Sequence, residues 1–240
     1  MKNEKEFYKE LEDTLHDRIG RDHPLIEELF KTGDVNMLRM MVTQGYQLTK
    51  VFAIYVGGLY YRCPIAKHRK RFAMNVYEEE TGKISRTNGH LELLHKFTSA
   101  IGLSQDDLNL SPTEINSETQ ELIDYRFELI EDPKKFHQAV AAVMIASEGQ
   151  NLEDRVGESR RELVAKGFGL ELDDMIFFKV HAEEDVYHVR DGLRCCVDVC
   201  TTEEMQREAV QAIHETCDRF DRHYDGIFRK YKEQYQGEAI

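Results

Sequence analysis

Apolar residues recur at three- and four-residue steps through most of the chain, the spacing that gathers them on one face of an α-helix. From Asp34 to Arg62 the positions Met37, Met41, Leu48, Val51, Tyr55 and Leu59 draw one amphipathic stripe. Asp34 can cap its start, and Pro64 disfavours extension beyond Cys63. The pattern predicts further helices over 65–80, stopped by Gly82, and from Gly89 to near Gly102. Residues 103–111 read as polar loop, and Ser111-Pro112-Thr113-Glu114 as the start of a helix over 113–130. Another spans 133–153 with Pro133 in its first turn, and a short one over 157–166 ends at Gly167-Phe168-Gly169. Leu172 to Cys200 reads as one long helix, and Thr201-Thr202-Glu203-Glu204 caps a last one reaching about Tyr235.

Four prolines and no tryptophan punctuate 240 residues, too few turn signals for a sandwich or barrel of short strands. With no internal repeat or linker, the expectation is a single all-α domain over 1–240, a bundle of seven or more helices. Gly57-Gly58 lies inside the first stripe, where each glycine costs about 1 kcal/mol relative to alanine. That cost predicts a close helix contact or a kink. Gly192, four residues beyond His188, reads as a weak point in the packing of the long helix.

Charge removes some classes of function. Acidic residues outnumber basic ones 45 to 32, a formal charge of -13. The densest basic run, Lys67 to Arg71, is soon followed by Glu78-Glu79-Glu80, which speaks against a nucleic-acid groove. Val51 to Tyr61, the most apolar stretch, is about half the length of a membrane span, and the charged N-terminus lacks a signal-peptide core. Five irregularly spaced cysteines do not make a disulfide framework, so a reducing cytoplasm is expected. Cys196 and Cys200 stand one turn apart without a second pair to complete a thiolate metal site.

The candidate chemistry centres on His181-Ala-Glu-Glu-Asp185-Val-Tyr-His188. Positions i, i+4 and i+7 share one helix face, so two imidazoles and a carboxylate project together among apolar neighbours. Burying three titratable groups is costly unless they pair or bind a cation, and two His with a carboxylate suit non-haem iron. A salt-bridged, half-exposed face is the alternative for that trio alone. Glu148 follows the apolar run Val140 to Ala146, Glu79 lies in Asn75-Val-Tyr-Glu-Glu-Glu-Thr-Gly82, and His90 opens the next apolar helix. Three histidines and three carboxylates from four helices would repel and protonate one another unless divalent cations relieved them.

In this order these motifs resemble the heme-oxygenase-like di-iron oxidases, whose fold is shared with the TenA thiaminases and the PQQ-synthesis oxidase. The likeness spans about residues 25–200. It implies two iron ions and dioxygen, ligated by Glu79, His90, Glu148, His181, Asp185 and His188, with Glu80 as the fallback for Glu79. It implies a small-molecule substrate, and leaves room for an external electron donor and a homodimer. The motif wording is nearest to chlamydial-type members that make p-aminobenzoate by consuming one of their own tyrosines. Two positions depart from them: Glu158 stands in place of a lysine, and Ala146-Ser147 in place of a tyrosine.

For the substrate, the 34–62 stripe is expected to line the pocket with Gln44, Lys50, Tyr55 and Arg62, one of the two cations holding a carboxylate. Two other readings stay open. One is a metal-free TenA-like hydrolase with a cysteine nucleophile, Cys63 or one of Cys195 to Cys200. The other is a helical interaction protein with an acidic docking surface.

Overall fold

A computed structural model describes residues 1–19, 23–153 and 159–237, and every regular element among them is helical. Glu158 and the expected helix start at 157 lie outside the described residues. The chain opens with α1 (Glu4–His16) and α2 (Pro24–Thr32), two helices ahead of the first stripe. Asn3 and Glu6 form a reciprocal capping box on α1, and His23 caps α2 ahead of Pro24. Then come α3 (Val35–Thr49), α4 (Phe52–Arg62), α5 (Ala66–Thr81), α6 (His90–Ala100), the short α7 (Gln105–Leu108) and α8 (Ser117–Glu131). After a 3-10 turn, α9 (Phe136–Val140) runs directly into a π-helical segment, Ala141–Ser147. The chain finishes with α10 (Arg160–Phe168), α11 (Ile176–Val199) and α12 (Glu203–Tyr235).

Several expected boundaries move. The 34–62 stripe is two helices, because Val51 leaves helical geometry (φ −107°, ψ 1°) between α3 and α4. The apolar spacing runs on across the break, so periodicity does not register it. α8 begins at Ser117, since the backbone N–H and the hydroxyl of Ser111 both donate to the Glu114 carboxylate and close a separate turn. A 3-10 turn, Leu172–Met175, precedes α11.

A Cβ on Gly58 would lie 2.5 Å from the Ile130 side chain, so that glycine lets α4 press against α8. Gly192, expected to be a weak point, is the reverse. A Cβ there would meet Met144 Cβ at 2.7 Å, which makes it the seat of α11 on the π segment.

Two large apolar clusters form most of the core, beside a small third of Leu48, Leu122, Ile123 and Phe220. One joins α1, α4, α9, α11 and α12 around the fully buried π segment, and the other joins α2, α3, α6 and the far end of α12. A cavity of about 610 Å³ runs from the second cluster, at Leu38, Leu94 and Phe97, to the end of the π segment at Ser147 and Glu148. Among the described residues no helix is long and apolar enough to cross a membrane.

Candidate metal centre

Glycine geometry at the end of α5 sets the first part of the site. Gly82 caps the helix in the left-handed region (φ 61°), and a Cβ there would meet Asn88 O at 2.1 Å. Gly89 approaches Glu80 O so closely that its Cβ would fall at 2.6 Å. The buried Glu78 carboxylate accepts from the backbone N–H groups of Ile84 (2.6 Å) and Ser85 (3.2 Å), tying the loop down. Despite its burial, these bonds hold its carboxyl below the ordinary carboxylate range. The loop therefore delivers His90, the first residue of α6, against Glu79 on the last turn of α5, with Nδ1 3.0 Å from Oε2. Glu79 is buried, whereas Glu80 points to solvent.

His181 of α11 completes this group. Its ring lies 4.5 Å from that of His90 and 4.1 Å from that of Phe177. Its Nδ1 lies 2.8 Å from the Phe177 carbonyl oxygen; donating there leaves Nε2 free as a ligand atom.

The second group is Glu148, Asp185 and His188. Glu148 directly follows the π segment, whose wider turn is marked by the Ser147 hydroxyl donating to Ala142 O at 2.7 Å. His188 Nδ1 lies 3.2 Å from Glu148 Oε1 and 3.4 Å from Asp185 Oδ1. Two amides hold the carboxylates from behind: Asn75 Nδ2 donates to Glu148 Oε1 (3.0 Å) and Asn151 Nδ2 to Asp185 Oδ2 (2.8 Å). In each group of three, one ligand atom per residue lies within 4.8 Å of the others, and all but His188 count as core residues.

The donor set fits metal ions on one specific observation. Both ring nitrogens of His90, Glu79 Oε1, Asp185 Oδ1 and His188 Nδ1 are buried without a hydrogen bond. The two histidines lie close to carboxylate oxygens, His90 Nδ1 3.0 Å from Glu79 Oε2 and His188 Nδ1 3.4 Å from Asp185 Oδ1, yet their ring nitrogens are not aligned for hydrogen bonds. Buried polar atoms left this way cost of order 1–3 kcal/mol each, and more when charged. Lone pairs converging on a shared point offset that cost when a cation sits there.

The electrostatics agree. Burial opposes protonation of His188, but the Glu148 and Asp185 carboxylates outweigh it and raise its pKa well above the ordinary value. Burial and the neighbouring Glu148 charge push Asp185 far up, whereas His188 and the Asn75 amide hold Glu148 low against its burial. Burial lowers His181, with the nearby His90 adding to it, while Glu79 and Glu78 raise His90 against its own burial.

All six residues named from the sequence are thus drawn together, as Glu79–His90–His181 and Glu148–Asp185–His188. The four expected substrate contacts are elsewhere, because none lines the cavity. Gln44 exchanges hydrogen bonds with Glu114 O and Asn116 N, so it anchors the loop before α8. Lys50 donates to Gln47, the Tyr55 hydroxyl to Ile123 O, and the Arg62 guanidinium to the carbonyls of Ile130 and Glu131, where it caps α8. Three arginines line the cavity instead: Arg18 pairs with Asp218 and Asp221, Arg160 donates to Gln150 O, and Arg126, which the sequence reading passed over, has no carboxylate partner among the described residues. A signal existed: Arg126 falls in the inward row Leu122, Ile123, Leu129 and Ile130 of α8.

With this geometry in view, the chain belongs to a family described as iron-containing redox enzymes, whose profile matches residues 39–221. It is 28% identical over 165 residues to a 4-aminobenzoate synthase of Nitrosomonas europaea, an alignment covering 68% of this chain and 63% of that relative's length. Among solved structures, it resembles a TenA homolog from Pseudomonas syringae pv. tomato with a TM-score of 0.69 at 17% identity, over 94% of this chain and 92% of that one. A heme oxygenase-like domain from Shewanella denitrificans gives 0.70 at 17%, over 98% and 94%. A CADD-like protein from Nostoc punctiforme gives 0.68 at 14%, over 97% and 98%. The fold is therefore the heme-oxygenase-like, TenA-like bundle.

Proposed function

We propose that the chain is a di-iron oxidase that uses dioxygen to oxidise a small organic molecule held in the cavity beside the two triads. The observation that carries this reading is the pair of buried His–carboxylate groups whose ligand atoms converge without hydrogen-bonding one another. Glu79, His90 and His181 would hold one iron, and Glu148, Asp185 and His188 the other. Bound iron supplies electrons and a place to activate oxygen; the protein does the rest. Asn75 and Asn151 fix the carboxylate orientations, and Phe177 O selects the His181 tautomer. Asp185 and His188, both pushed toward their protonated forms while no metal is bound, would release those protons as iron takes their lone pairs. The apolar walls at Leu94, Phe97 and Phe177 exclude water and bind the substrate body.

The similarity to a 4-aminobenzoate synthase makes an aromatic or amino-acid-derived molecule one substrate class to test. The cysteine-hydrolase reading has less support. All five cysteines are buried and none lines the cavity: burial raises the thiols of Cys196 and Cys200, and Cys63, its pKa lowered to about 7 by its hydrogen bond with Cys195, faces that thiol and not the cavity. Anaerobic Fe(II) loading followed by elemental analysis and oxygen-uptake measurement tests the proposal. About two irons per chain and oxygen consumption are expected; a protein that binds no iron overturns it.

A further inference from the structure

The cavity holds one buried charge that iron binding does not use. Arg126 is 1% exposed on α8 and lines the same cavity as Glu79, Glu148 and His181. Its Nε and Nη2 have no hydrogen-bond partner, and among the described residues no carboxylate forms an ion pair with it. What surrounds the guanidinium is aromatic and neutral: the Phe220 ring at 5.1 Å and the Tyr55 ring at 5.5 Å. His223, also in the cavity wall, has Nδ1 2.8 Å from the Thr119 hydroxyl. Burial and the Arg126 charge push its pKa to about 3, so it adds no second positive charge near neutral pH.

An unpaired buried cation is destabilising, and a fold that needed only volume here would be more stable with methionine or leucine. The charge is therefore kept for something that arrives. Guanidinium presents a planar fork that matches carboxylate bidentately. With one positive charge at this end, a monoanion is neutralised, whereas a phosphate dianion is left half-compensated. Phe97, Phe177, Phe178 and Val164 give the wall an apolar face, and its other two arginines are already engaged, Arg18 by Asp218 and Asp221 and Arg160 by Gln150 O.

We infer that Arg126 is the carboxylate anchor of the cavity, and that the ligand is a monocarboxylate whose apolar body extends from Arg126 toward His181 and Glu79. Which end of that ligand reacts rests on the di-iron reading; the anchor does not. Arg126 rather than Arg62 or Lys50 fills the role expected of a cation on the pocket wall.

The test uses ω-phenylalkanoates of increasing chain length, the matching neutral amides and inorganic phosphate, titrated calorimetrically into the metal-free protein. At least one acid is expected to bind about tenfold or more tightly than its amide, and phosphate at equal concentration should not displace it. Arg126→Met should bring the acid to the affinity of the amide, leaving amide binding unchanged and Tm no lower than in the parent. Arg126→Lys, which keeps the charge but not the fork, should fall between and guards against a folding defect. Failure of every acid to bind, equal affinity of acid and amide in the parent, competition by phosphate, or full acid binding by Arg126→Met would overturn the inference. Because the titrations need no iron, a failure of iron loading would remove the di-iron reading and leave this result standing, and the reverse also holds.

Discussion

The Glu79 triad takes its residues from α5, α6 and α11 and sets two imidazoles against one carboxylate, whereas the Glu148 triad sets two carboxylates against one imidazole. The first is held by a loop: Gly82, Gly89 and the Glu78 carboxylate leave His90 one place to go. The second is held by an interface, the contact of α11 at Gly192 with Met144 and Ile145 of the π segment. Charge separates them too. Asp185 and His188 are both pushed toward the protonated form, while in the Glu79 triad His90 is raised and His181 is kept neutral. The comparison teaches that carboxylates and imidazoles in different proportion make one site closer to readiness for a cation and a neighbouring one that must first give up more protons.

Removing a ligand should separate the triads most sharply. His90→Ala is expected to abolish metal binding at the Glu79 triad and His188→Ala at the Glu148 triad, each dropping iron content toward half. Loss of both irons from either single variant would show one indivisible site. The supporting amides come next: Asn151→Ala should weaken the metal held with Asp185 by about 10–100-fold and leave the other triad nearly unchanged. Asn75→Ala should do the same through Glu148.

pH should distinguish them further, using each histidine variant to isolate the remaining triad. At the Glu148 triad two groups have raised pKa values, so below those values a metal must displace two protons; affinity should rise with pH by up to about a hundredfold per unit. At the Glu79 triad the raised His90 calls for one displaced proton while His181 is already neutral, and the rise should be about tenfold. Equal slopes in metal titrations between about pH 6 and 8 would break the distinction. The smallest effect is mechanical. Gly192→Ala should cost about 1–3 kcal/mol in denaturant unfolding by forcing α11 from the π segment, and loosen only the Glu148 triad.

Much of this was readable from residue order. The spacing His181, Asp185, His188 gave one face, and the step from Phe72 and Val76 turned Glu79 inward and left Glu80 outside. The π segment was not readable, because Val-Ala-Ala-Val-Met-Ile-Ala suits an ordinary buried helix equally well. What distinguishes the segment is tertiary: the bare Gly192 backbone lies against its Met144 and Ile145. The break at Val51 was hidden by an apolar stripe that crosses it. Lys50 and Arg62 looked like pocket cations because spacing alone does not tell a cation that reaches a neighbouring side chain or a helix-end carbonyl from one that reaches a cavity.

α11 carries ligands of both triads, His181 for one and Asp185 with His188 for the other, on a single continuous helix. Whatever one ion does to the position of that helix is felt by the second, with no further messenger. Thermodynamics then requires reciprocity: if filling the Glu79 triad raises affinity at the Glu148 triad by some factor, filling the Glu148 triad raises the other by that same factor. The two ions would therefore bind as partners in one equilibrium, and a half-filled centre would be the least populated of its states when that factor is large.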